Sequence, residues 1–134
     1  YHIEEKWRFR ATYNVTRGRD AEGGPLSHIP PAFGTCTASR NWTWFTLDTH
    51  LRWSAWKRAE DYGPGATDNF AEATADGTPS WWTIGFDVDA RLTERTTFSV
   101  GMHNALDRHY KVFASGISAA GRDFRVGLRW RPAA

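Results

Sequence analysis

Residues 81–92 read WWTIGFDVDARL, and every even position (Trp82, Ile84, Phe86, Val88, Ala90, Leu92) is apolar. After Trp81 the odd positions are small, polar or charged: Thr83, Gly85, Asp87, Asp89 and Arg91. A period of two makes a β-strand with one apolar and one polar face. In a soluble sandwich the apolar face meets a second sheet. In a membrane barrel it meets lipid, and the charged face lines a lumen.

The alternation recurs along the chain. From Trp7 to Thr16, Trp7, Phe9, Ala11, Tyr13 and Val15 oppose Arg8, Arg10, Thr12, Asn14 and Thr16. From Trp44 to Trp56, Phe45, Leu47, Leu51, Trp53 and Ala55 oppose Thr46, Asp48, His50, Arg52 and Ser54. A strand opening at Phe98, Val100 and Met102 is expected to run to about Phe113, and a last one carries Phe124, Val126, Leu128 and Trp130 against Arg125, Gly127, Arg129 and Arg131. Between them, 18–34 is broken by Pro25 and Pro30-Pro31, 57–80 has no sustained period, 93–95 is short enough for a hairpin turn, and 115–121 is a small-residue loop. The expectation is an all-β antiparallel meander of about five long strands, with no helical period anywhere.

Strands of about ten residues at ~3.3 Å per residue cross a tilted bilayer core, whereas soluble strands average about five or six. The composition suits a barrel wall, with eight tryptophans and a mean hydropathy of -0.60. No run approaches the roughly 18 apolar residues of a membrane helix, a test that alternating strands escape. No leader opens the chain, which runs from Tyr1 almost directly into strand-like sequence, as if taken from something longer. Five strands close no membrane barrel, the smallest bacterial form having about eight. A net charge of +2 falls short of a nucleic-acid binder, and the lone Cys36 has no disulfide partner.

Candidate chemistry is sparse. His103 and His109 share one irregular strand, and neither belongs to a ligand cluster such as H-E-x-x-H, so a wall-lining role is set against haem ligation by His109 or His50. Asp87 and Asp89 share a face, where lumen carboxylates paired with Arg91 or Arg125 are commoner than catalytic ones. The loop acids Glu60, Asp61, Asp68, Glu72 and Asp76 lack calcium-loop spacing. Asn14-Val15-Thr16 and Asn41-Trp42-Thr43 match the glycosylation sequon inside or beside strands, as chance matches. Trp7, Trp42, Trp44, Trp56, Trp81, Trp82 and Trp130 lie near strand ends, as in an aromatic girdle, with Trp53 deeper and sugar stacking the competing use. Asn104 to Tyr110 breaks the alternation, and a bulge held by side-chain to backbone bonds is expected there. No nucleophile, base and orienter converge, so no enzyme, metal site or cofactor is expected.

Three stretches in order, PLSHIPPAFG (25–34), FSVGMHNALDRHY (98–110) and SGISAAGRDFRVGLRW (115–130), together resemble the C-terminal end of TonB-dependent outer-membrane receptors. The positions that carry the resemblance are Pro25, Leu26, Ile29, Pro30 and Pro31, then Val100, Gly101, Asn104, Asp107 and Tyr110, then Gly121, Arg122 and Phe124. Ala105-Leu106 replaces the family's Leu-Phe, and Arg131-Pro132-Ala133-Ala134 replaces its terminal phenylalanine.

The resemblance implies that residues 1–134 are the last strands of a 22-stranded barrel. It places 18–34 in a periplasmic turn, 57–80 and 115–121 outside the cell, and ligand contacts at Tyr62, Phe70 and Arg122. Gly121 would permit a tight turn. The implied activity is TonB-dependent uptake of a scarce large solute of the ferric siderophore, haem or cobalamin class, at the bacterial outer membrane. The implied partners are outer-membrane lipid, the rest of the barrel with its N-terminal plug, the inner-membrane TonB complex acting through that plug, and the barrel-assembly machinery. The alternative is a self-contained soluble β binding module for an apolar or sugar ligand.

Overall fold

A computed structural model describes residues 7–65 and 68–132. Six strands form one antiparallel sheet in the order β1 (Trp7–Asn14), β2 (Phe33–Asn41), β3 (Phe45–Ser54), then β6 (Trp81–Arg91), β7 (Thr96–His103) and β8 (Asp123–Trp130). The intervening β4 (Lys57–Arg58) and β5 (Gly77–Thr78) make a separate small ladder. The expected all-β antiparallel meander is present, and its sheet has one strand more than expected.

The additional strand is β2, FGTCTASRN. Its apolar-face positions are Gly34, Cys36, Ala38 and Arg40, aligned with Tyr13, Ala11, Phe9 and Trp7 of β1. Small residues and an arginine leave no bulky alternation to read, yet each can sit on that face. Gly34 leaves room for Trp53, whose Nε1 would lie 2.9 Å from any added Cβ. Arg40 stacks its guanidinium over Trp42 at 4.6 Å and Trp7 at 5.4 Å, a cation–π arrangement that carries the charge at the sheet's rim.

That one strand reverses an expectation. With β2 in place, 15–32 joins β1 to β2 at the same end of the sheet as the connections 55–80 and 104–122, while 42–44 and 92–95 turn tightly at the other end. The segment bearing Pro25, Leu26, Ile29, Pro30 and Pro31 is therefore not a turn at the opposite end from 57–80. It packs against that loop: Lys57 Nζ donates to Ile29 O at 2.7 Å, and the His28 amide to Asp68 Oδ1 at 2.7 Å.

The strand opening at Thr96 also ends earlier than expected. It stops at His103, because Asn104 turns to φ +47° and Asp107 to φ +53°. Asn104 then closes a turn in place of a bulge, its amide donating to Arg108 O (2.8 Å) and Ala120 O (3.1 Å) while its Oδ1 accepts from the Arg108 amide (3.0 Å). These are the side-chain to backbone bonds expected of it. Asp107 works alongside, accepting from the Arg122 amide at 2.7 Å.

Register puts one face of the sheet in apolar rows, such as Trp7–Arg40–Leu47–Val88–Val100–Val126 and Phe9–Ala38–Thr49–Phe86–Met102–Phe124. Nothing among the described residues covers this face: Phe9, Val126 and Leu128 are each 70% or more exposed. The soluble alternative needs an apolar interior, and the one buried hydrophobic side chain among the described residues, Tyr62, lies outside the sheet. Aromatic rings mark both borders. Trp7, Trp42, Trp44, Phe45 and Trp130 stand at the tight-turn end, and the row Tyr13–Gly34–Trp53–Trp82 at the other. Trp53 thus belongs to a border and is not deeper. From Phe45 to Trp53 is about 26 Å at ~3.3 Å per residue, close to the ~25 Å apolar band of outer-membrane barrels. Trp81 has the opposite parity and packs its ring, tilted by 36°, against Tyr110 at 4.3 Å.

Candidate functional site

The three long connections form a cap at one end of the sheet. Its centre is Asp68, 1% exposed, which accepts from the His28 amide (2.7 Å) and the Gly63 amide (3.1 Å) and so ties two loops together. The third loop joins through Asn69 Nδ2 donating to Ala114 O (2.7 Å) and Lys111 Nζ to Glu72 O (2.6 Å). Lys57 is buried against the rings of Phe113 and Tyr62. Burial holds its pKa below 10.5, opposed by the nearby charges of Asp61 and Asp68.

The residues expected to touch a ligand occupy different places in this cap. Tyr62 points inward, its hydroxyl 2.5 Å from Thr78 Oγ1 and its ring edge-on to Phe70 (4.7 Å) and Phe113 (5.5 Å). Phe70 keeps 39% of its surface exposed. Arg122 is exposed as well, with its Nε donating to Ala105 O at 3.0 Å. Gly121 serves close approach and not a positive-φ turn, since a Cβ there would lie 2.7 Å from Asp107 Oδ1.

The polar face of the sheet holds a convergence that the sequence reading missed. His50 on β3, Asp87 on β6 and His103 on β7 bring one ligand atom each to within 4.8 Å of one another, so His103 does belong to a potential ligand cluster. His50 Nε2 lies 3.2 Å from Asp87 Oδ2, and His103 Nε2 lies 3.3 Å from Asp87 Oδ1. His109, the other histidine weighed, is exposed in the 104–122 connection. Two glycines make the convergence possible. Gly85 pairs with His50, and a Cβ on it would lie 2.8 Å from His50 Nε2; Gly101 pairs with Asp87, and a Cβ on it would run into Asp87 Oδ1. The expected ion pairs of Asp87 with Arg91 or Arg125 give way to this histidine pairing, and Arg125 instead bonds Asp123 at 2.9 Å.

A signal for the trio existed only in combined form. All three residues have polar-face parity, but their adjacency depends on the pairings Asp87↔Gly101, across the tight turn 92–95, and His50↔Gly85, across the long connection 55–80. Beside them opens a cavity of about 120 Å³ lined by residues that include Arg52, Thr83, Asn104, Tyr110 and Gly121.

No family model matches the chain. No curated protein matches it either. Among solved structures 26 chains match. One, a copper transporter named OprC, superposes with a TM-score of 0.77 at 14% sequence identity, over 97% of this chain and 22% of that one. The chain therefore spans less than a quarter of that protein, and what the two share is the fold: the six-stranded meander is built like part of a transporter's β-structure.

Proposed function

We propose that this chain is the C-terminal wall of a TonB-dependent outer-membrane receptor and contributes lipid-facing strands and extracellular loops to the uptake of a scarce large solute. The observation that carries the reading is the uncovered apolar face bordered by two aromatic rows, with all long connections gathered at one end. Outer-membrane barrels have short periplasmic turns, long outer loops and aromatic girdles at both interfaces. A sheet with two open edges leaves backbone groups unsatisfied in lipid, so the other strands and the plug complete it. The fold shared with a transporter supports the same reading, as does the arrangement of Asn104, Asp107 and Gly121, the motif positions of the receptor resemblance.

On this reading the capped end faces the medium, and Phe70 and Arg122 are the wall's candidate contacts for a ferric siderophore, haem or cobalamin-like solute. The plug, moved by the inner-membrane TonB complex, admits it without covalent chemistry. Membrane lipid and the barrel-assembly machinery are the remaining partners. Proline-rich 25–32 becomes part of an outer loop.

Single cysteines placed in a Cys36→Ser background test location and orientation together. In intact cells a membrane-impermeant maleimide should label Glu22→Cys and Ile117→Cys, and should reach Glu94→Cys only after the outer membrane is breached. Equal labelling of all three, or recovery of the protein in the soluble fraction, would overturn the proposal.

A further inference from the structure

We propose that His50, Asp87 and His103 form a binding site for a divalent transition-metal ion on the polar face of the sheet. The donors suit it. Two imidazoles and one carboxylate favour zinc, copper or nickel over calcium or magnesium, which take oxygen ligands. Three protein ligands leave a coordination position free for water or a passing solute.

The geometry suits it as well. Ligand atoms about 2.0–2.1 Å from a tetrahedral zinc stand roughly 3.3 Å apart, and the two His–Asp separations are 3.2 and 3.3 Å. Those two separations run to different oxygens of Asp87, Oδ2 for His50 and Oδ1 for His103, and one ligand atom from each residue lies within 4.8 Å of the others, so an ion completes its shell by drawing the three together, for which Gly85 leaves room. A plain hydrogen-bonded trio accounts for less. His50 Nε2 is shielded from solvent and, despite its approach to Asp87, lacks an aligned hydrogen-bond partner, a buried lone pair or proton left unused. Asp48, which pairs with Asp87, and Asp123, which pairs with His103, add negative charge; Arg52 and Arg125 lie on the adjoining cavity wall. The site rests on side chains of the wall and is independent of which solute the protein transports.

The test uses the whole folded protein in detergent, stripped with chelator and titrated with Cu²⁺ alone. The expected electron paramagnetic resonance spectrum shows hyperfine coupling to two imidazole nitrogens and disappears when Zn²⁺ competes. His50→Gln and His103→Gln should each weaken binding by more than the roughly 10–100-fold that follows loss of an outer-shell partner. The double variant His28→Gln, His109→Gln should leave the two-nitrogen signal unchanged. An absent signal, one that survives in His50→Gln, or one lost with His28 and His109 would overturn the site. Should the glutamine variants fail to fold, the wild-type protein still decides. Zn²⁺ should shield His50 and His103, but not His109, from diethyl pyrocarbonate as read by mass spectrometry, and uniform modification would refute the proposal.

Discussion

Replacing Asp68 by alanine is expected to open the loop cap while the six-stranded sheet stays formed. The carboxyl group is 1% exposed and holds the amides of His28 and Gly63, so its loss orphans two donors at about 1–3 kcal/mol each. It also removes one of the two acidic neighbours of buried Lys57, whose ammonium group is already disfavoured by burial. Together these amount to about 3–5 kcal/mol, the usual scale for breaking a buried polar network. Hydrogen exchange should show lost protection in 24–30 and 57–65, with 81–103 unchanged. Asp68→Asn keeps the shape and one acceptor oxygen, so its loss should be smaller. Unaltered protection in the alanine variant would mean that apolar contacts around Tyr62 hold the cap without it.

The second large effect is expected at Val100, midway along β7 on the apolar face between Val88 and Val126 and 42% exposed. If that face meets water, Val100→Arg is a surface change worth about 0.5 kcal/mol or less. If it meets lipid, arginine near the midplane costs about 2–4 kcal/mol. Denaturant unfolding of the whole protein in lipid should therefore show a loss of about 2–4 kcal/mol for Val100→Arg. Thr46→Arg, on the polar face beside Asp89, should stay within about 0.5 kcal/mol. Similar costs for the two variants would argue against a lipid-facing surface.

How much of this was legible depended on side-chain size. Strands β3, β6 and β8 announce themselves because large apolar residues fill one parity: Phe45, Leu47 and Leu51; Ile84, Phe86 and Val88; Phe124, Val126 and Leu128. Strand β2 is silent because its apolar face carries Gly34, Cys36, Ala38 and Arg40, the last made tolerable by Trp42, two residues on, and by Trp7, which the strand pairing brings beside it. One silent strand is enough to send a loop to the wrong end of an antiparallel sheet, as happened with 18–34. The polar stretches were legible as loops, but their interior was not, since Asp68 is buried by partners from two loops and reads in sequence like any solvated acid. The His50, Asp87 and His103 trio was hidden for a related reason. Cross-strand neighbours follow from register, and the register of β3 against β6 is set across the long connection 55–80, whose path the alternation of the strands does not give. Asn104 was legible because its bonds with the Arg108 backbone are local, whereas Asp107 holds the Arg122 amide across the whole connection and was singled out through the receptor resemblance.

Cys36 offers the most direct measurement of what surrounds the apolar face, because it is the chain's single cysteine, is exposed, and lies in the row Ala11–Cys36–Leu51–Ile84. A nitroxide attached there in the protein reconstituted into lipid should collide frequently with dissolved oxygen, which concentrates in hydrocarbon, and rarely with a water-soluble nickel chelate. Greater access for the nickel complex, or shielding from both reagents, would place that face against water or protein and contradict the barrel-wall account.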